Sequence, residues 1–77
     1  MPHTYQYEEI ALDLESRIAS GEFPPGSRLP SRRELLIQYA PVSEPVIDRA
    51  FQILRVKGLI RTRLGVGVFV ADTGTEK

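Results

Sequence analysis

Cysteine is absent from the 77 residues, and His3 is the only histidine. Without thiols neither a disulfide framework nor a thiolate metal site can form. A single histidine near one end supplies no histidine-based metal cluster, so no metal or cofactor is expected. Uninterrupted apolar runs are only a few residues long, far short of the roughly 20 needed to cross a bilayer, and no membrane association is expected. The opening stretch MPHTYQYEEIALDLE has neither a positive n-region nor an apolar h-region. Nothing in it argues for secretion, and the cytoplasm is the expected location. No charge excess exists either: ten Lys and Arg face ten Asp and Glu.

What remains is ordinary globular material, 42% hydrophobic and 26% charged, which excludes a disordered tail as well as a membrane protein. A chain of 77 residues supports one domain with a small core. No carboxylate pair converges on a pocket that such a core could enclose, and catalysis is not expected. The neutral balance hides a division. Residues 1–27 set Arg17 against Glu8, Glu9, Asp13, Glu15 and Glu22. Residues 28–63 set Arg28, Arg32, Arg33, Arg49, Arg55, Lys57, Arg61 and Arg63 against only Glu34, Glu44 and Asp48. A chain divided in this way can present a basic face while remaining neutral overall.

Over residues 7–20, Ile10, Ala11, Leu14 and Ile18 recur at spacings of three and four, which predicts an amphipathic helix with one core stripe. Ser20-Gly21 ends it, and Pro24-Pro25-Gly26 enforces a loop. Ser27-Arg28-Leu29 is expected to be short and extended, a bias reinforced by Pro30. Ser31 stands three residues before Glu34, the spacing of a capping box, and opens a second helix that Pro41 must stop. Ser43 is the next N-cap candidate, with Pro45 in the first turn and Ile47, Ala50, Phe51 and Leu54 down one face. Gly58 is placed to end that helix in the left-handed C′ position. Beyond it, Leu59-Ile60-Arg61-Thr62-Arg63 and Val66-Gly67-Val68-Phe69-Val70 flank Gly65 and read as two strands of a hairpin. The fold class is therefore mostly α with a small β-hairpin. Residues 1–71 are expected to form the domain, and 72–77 a flexible tail or the start of a linker.

Four pieces then stand in order: Pro25-Gly26-Ser27-Arg28-Leu29-Pro30-Ser31-Arg32-Arg33-Glu34-Leu35, Val42-Ser43 opening a helix, Gly58-Leu59-Ile60, and Gly65-Val66-Gly67-Val68-Phe69-Val70. Together they closely resemble the N-terminal domain of the GntR family of bacterial transcription regulators, and look most like its HutC or YtrA branches. The resemblance implies a winged helix-turn-helix, three helices plus a wing, that binds double-stranded operator DNA as a homodimer, usually as a repressor. It also implies a C-terminal domain that senses a small-molecule effector. No such domain lies within these 77 residues, so either a fragment ending in the interdomain linker or an unusually short regulator is expected, the fragment being favoured.

The resemblance places the helix of residues 43–57 in the major groove, with the Ser31 helix packed across it. Arg33 matches the family arginine that reaches DNA, and Arg49 is likewise retained. Arg32 replaces a residue that is commonly glutamate. A guanidinium suits either a phosphate or a guanine edge. Amides at the Ser31 and Ser43 helix starts are further phosphate partners. The wing of residues 61–68 offers Arg61 and Arg63, on one side by the two-residue strand period, with Gly65 and Gly67 letting backbone approach DNA. They are expected at the backbone or minor groove.

Several positions depart from the family pattern. Glu44 and Asp48 stand where arginines are usual; as carboxylates they repel phosphates but accept from a cytosine amino group. The turn Ala40-Pro41-Val42 is one residue longer than the usual link. Val66 and Val68 replace more polar residues, and an exposed Val66 is placed to pack on deoxyribose. The acidic pair and the neutral balance leave one alternative open: a winged helix used for protein contact, with weak or no DNA binding.

Overall fold

The computed structural model describes residues 5–71. His3 and the tail of residues 72–77 lie outside the described residues. Three helices come first, α1 (Gln6–Ala19), α2 (Arg32–Gln38) and α3 (Glu44–Val56), followed by strands β1 (Ile60–Arg63) and β2 (Gly67–Val70). The strands form an antiparallel hairpin in which Ile60 pairs with Val70 and Arg63 with Gly67. Both are shorter than the sequence suggests. Val66 leaves the ladder because its N–H closes a turn onto the Arg63 carbonyl at 2.9 Å. Leu59 is taken by the helix end, donating to the Leu54 carbonyl at 3.0 Å.

Each helix begins and ends for a local reason. At α2, Ser31 Oγ accepts from the Glu34 N–H at 3.2 Å, and the Glu34 carboxylate accepts from the Ser31 N–H at 2.7 Å. That is the reciprocal cap read from the sequence. Ser43 occupies the N-cap of α3, but its side chain makes no capping bond. Gly58 follows α3 with φ of 77°, in the region a side chain disfavours. The Ala40–Pro41 peptide is cis, and the Pro41 carbonyl accepts from Gln6 Nε2 at 2.9 Å. The long turn before α3 is thereby tied to the start of α1.

The core lies where the apolar stripes of α1 and α3 meet. Leu14, Leu29, Leu35, Ile47 and Leu54 are fully buried, joined by Ile10, Ala11, Ala50, Phe51, Ile60 and Val70. Ile18, the last residue of the α1 stripe, is partly buried against this cluster. The extended segment before α2 adds a third edge to the hairpin. Leu29 N–H donates to the Val68 carbonyl at 2.8 Å, and Val70 N–H to the Ser27 carbonyl at 2.8 Å. No helix among the described residues is long and apolar enough to cross a membrane.

A polar hub joins α1 to α2. Arg17 donates to Gln38 Oε1 at 3.2 Å, to the Tyr39 hydroxyl at 3.0 Å and to Glu22 Oε2 at 2.8 Å. Its guanidinium also lies 4.7 Å from the centre of the Phe23 ring. The Tyr39 hydroxyl in turn donates to the Asp13 carboxylate. Burial, and then the bond to Asp13, raise the Tyr39 pKa above the ordinary 10.0. A raised pKa in the folded state means stability that is present below pH 10 and lost as pH climbs through the raised value. Tyr39→Phe is expected to lower stability at neutral pH by about 1–2 kcal/mol, since two side-chain bonds disappear. Thermal denaturation at pH 7 measures this, and an unchanged midpoint would show the hub to be idle.

Candidate nucleic-acid interface

The outward surface of α3 has two flanks separated by its buried stripe. Residues 44, 48 and 55 fall on the flank facing α2 and the hairpin, while residues 49 and 53 fall on the flank facing α1, as 100° per residue requires. A groove of about 510 Å³ runs along the first flank, lined by Arg28, Arg32, Asp48, Gln52, Arg55 and Thr62, among others. Arg55 donates to Thr62 Oγ1 at 3.2 Å and so ties the end of α3 to the inner face of the hairpin. Three guanidiniums and one carboxylate line this groove. With Glu44 counted as well, the balance stays positive.

Arg32 does not stand free beside Arg33. Its Nε lies 2.9 Å from Asp48 Oδ1, and its Nη1 3.9 Å from Glu44 Oε1. The two carboxylates that depart from the family pattern thus meet the arginine that also departs from it, across the turn between α2 and α3. All three side chains are about half exposed, 52% for Arg32, 51% for Asp48 and 63% for Glu44, so the pair remains open to a ligand. Such an exposed pair adds little to stability, about 0–1 kcal/mol.

Arg33 is exposed at the start of α2. Arg49 is also exposed, but its guanidinium lies 5.0 Å from the centre of the Tyr7 ring on α1. It therefore sits on the flank away from the groove. Ser43 stands at the entrance to α3. In the hairpin, Thr62 and Val68 form one cross-strand pair and Arg61 and Phe69 the next. Because Thr62 faces α3, the alternation of the strand puts Arg61 and Arg63 on the opposite face. There the Arg63 guanidinium lies 5.8 Å from the Phe69 ring centre. Gly65, with φ of 77°, shapes the tip, where Leu64 is 94% exposed. At Gly67, φ is 150° and an added Cβ would stand 2.8 Å from Arg28 Nε. The space above that glycine is filled by Arg28, which comes from the extended segment before α2.

Sequence reasoning passed over Arg28, Gln52, Arg55 and Thr62 as site residues. For two of them a signal was present: residues 48, 52 and 55 are spaced by four and three, which aligns them on one helix flank. Arg28 and Thr62 reach the groove through strand pairing that spacing along the chain does not reveal.

Two helices joined by a turn, the second lying beside a short β-hairpin and a basic groove, define a winged helix-turn-helix protein. The sequence profile described as "Bacterial regulatory proteins, gntR family" matches residues 6–70, and the chain belongs to that family. The histidine utilization repressor of Klebsiella aerogenes is 38% identical over 66 residues, covering 86% of this chain and 27% of its own length. The uncharacterized HTH-type transcriptional regulator YdeF of Bacillus subtilis is 37% identical over 65 residues, 84% of this chain and 14% of its own. Among solved structures, AraR(DBD) in complex with operator ORX1 superposes with a TM-score of 0.85 at 30% identity, covering 90% of this chain and 82% of that one. The chain thus spans less than a third of the length of these two curated relatives.

Proposed function

We infer that this chain is the operator-binding part of a bacterial transcription regulator, with α3 entering the major groove and the hairpin resting on the adjacent backbone or minor groove. One observation carries this: the positively charged groove between α3 and the hairpin sits on a fold shared with AraR(DBD) bound to operator. Relatives that carry the name repressor favour repression as the regulatory sense. Arg28 and Arg55 serve as contacts within the groove, and Arg33, Arg61 and Arg63 as phosphate contacts beside it, whereas Arg49, held over Tyr7 on the far flank of α3, is given no contact. Ser43 and Gly65 bring backbone close to the duplex, whereas Gly67 makes room for Arg28. Pairing of half-sites by a homodimer, and control by a small effector through a further domain, complete the proposed regulator. The rival protein-contact module drew its motive from Glu44 and Asp48, and their engagement with Arg32 removes much of it.

A band-shift titration of the chain on a pool of random duplexes, repeated across a series of salt concentrations, tests the assignment. The logarithm of affinity should fall linearly with the logarithm of salt, by about 0.9 for each phosphate neutralised. A saturable complex with no salt slope, or no complex at low salt, would refute it.

A further inference from the structure

We propose that the Arg32–Asp48 pair is a composite reader of a C·G base pair, and that it sets the base preference of this domain at one operator position. The inference rests on the DNA-binding assignment above and adds to it the identity of the base pair.

The reasoning begins with what a carboxylate can do. Asp48 is an acceptor only, so on a base edge it can engage only an amino group. In the major groove, cytosine N4 and adenine N6 are the available amino donors. One Asp48 oxygen lies 2.9 Å from Arg32 Nε in an ion pair, and a carboxylate offers about four lone-pair sites. Capacity for a base therefore remains.

Arg32 supplies the complementary half. Its Nε lies against Asp48, while the N–H groups on its two terminal nitrogens keep donors to spare. Glu44 approaches Nη1 only to 3.9 Å, beyond hydrogen-bond distance, and so leaves the terminal donors unspent. Acceptor and donors then stand side by side, half exposed, on the flank of α3 that faces the groove.

A C·G pair presents the matching pattern, with the cytosine amino donor followed by guanine O6 and N7. The cytosine amino nitrogen and guanine O6 are themselves hydrogen-bonded, so they stand about 2.9 Å apart. An A·T pair has the adenine amino group beside thymine O4, but only that one acceptor there, with the thymine methyl next to it. Its edge leaves one arm of the arginine fork unmatched.

The experiment uses the whole chain and duplexes that differ from a selected site by one base pair at a time. Wild type should show one position at which C·G is favoured over other pairs by roughly 5- to 150-fold. Asp48→Asn should move the preference at that position alone toward A·T, because an amide both accepts and donates and so suits adenine. The double variant Arg32→Asp, Asp48→Arg should invert it to G·C. A wild-type profile without a C·G-preferring position would overturn the proposal. So would an Asp48→Asn profile unchanged at every position while the helical spectrum stays intact. In either case binding itself would persist, leaving the functional assignment standing; loss of all saturable binding by wild type would remove both.

Discussion

Replacing Leu54 with alanine is expected to unfold a large fraction of the molecule at 37 °C. Leu54 is fully buried on α3, at the point where that helix hands the chain to the hairpin. Truncating a buried leucine costs about 2–5 kcal/mol, from lost transfer energy and the cavity left behind. A chain of 77 residues has a total stability of roughly 4–12 kcal/mol at the usual 0.05–0.15 kcal/mol per residue. The substitution removes a large share of that. In a domain of this size each kcal/mol moves the midpoint by about 4–8 °C, so the fall should exceed about 8 °C. Thermal denaturation followed by circular dichroism measures it. Leu54→Met, which nearly conserves volume, should cost less than about 1.5 kcal/mol. If the alanine variant melts within a few degrees of wild type, α3 does not depend on this packing.

Arg33→Ala is expected to weaken operator binding roughly 5- to 150-fold, or about 1–3 kcal/mol, with no change in helical content. The side chain is exposed, so its removal leaves no cavity. Arg33→Lys separates the two tasks open to a guanidinium. Lysine keeps a point charge for a phosphate but loses the two-pronged grip on a guanine edge. Near-complete recovery by lysine means that Arg33 holds the backbone. A loss persisting with lysine and confined to one base position means that it reads guanine. Wild-type affinity in the alanine variant would dismiss both roles.

The sequence showed the helices, their apolar faces and the reciprocal Ser31–Glu34 cap because these depend on residues three or four apart. Such spacings are visible along one strand of text. The ion pair between Arg32 and Asp48 depends instead on how the turn of residues 39–43 sets α2 against α3. Spacing alone left Arg32 as one more free arginine. Arg49 and Asp48 are neighbours in the chain, yet 100° of helical rotation sends one to the Tyr7 side and the other to the groove. The Arg17 hub was invisible for a similar reason: Glu22, Gln38 and Tyr39 reach it from separate elements. Strand ends were overextended because Leu59 and Val66 have the apolar character of strand residues, while their amides are claimed by the helix end and by the hairpin turn.

β2 is hydrogen-bonded on both sides, by β1 and by the segment before α2. That leaves the outer edge of β1, among the described residues, as one margin of the small sheet. Unpaired strand margins invite self-templated growth into fibrils, and charged side chains resist it. Arg61 and Arg63 occupy two of the four positions of β1. Whatever they do for nucleic acid, two cations on a strand edge are placed to oppose edge-to-edge pairing between copies of this domain.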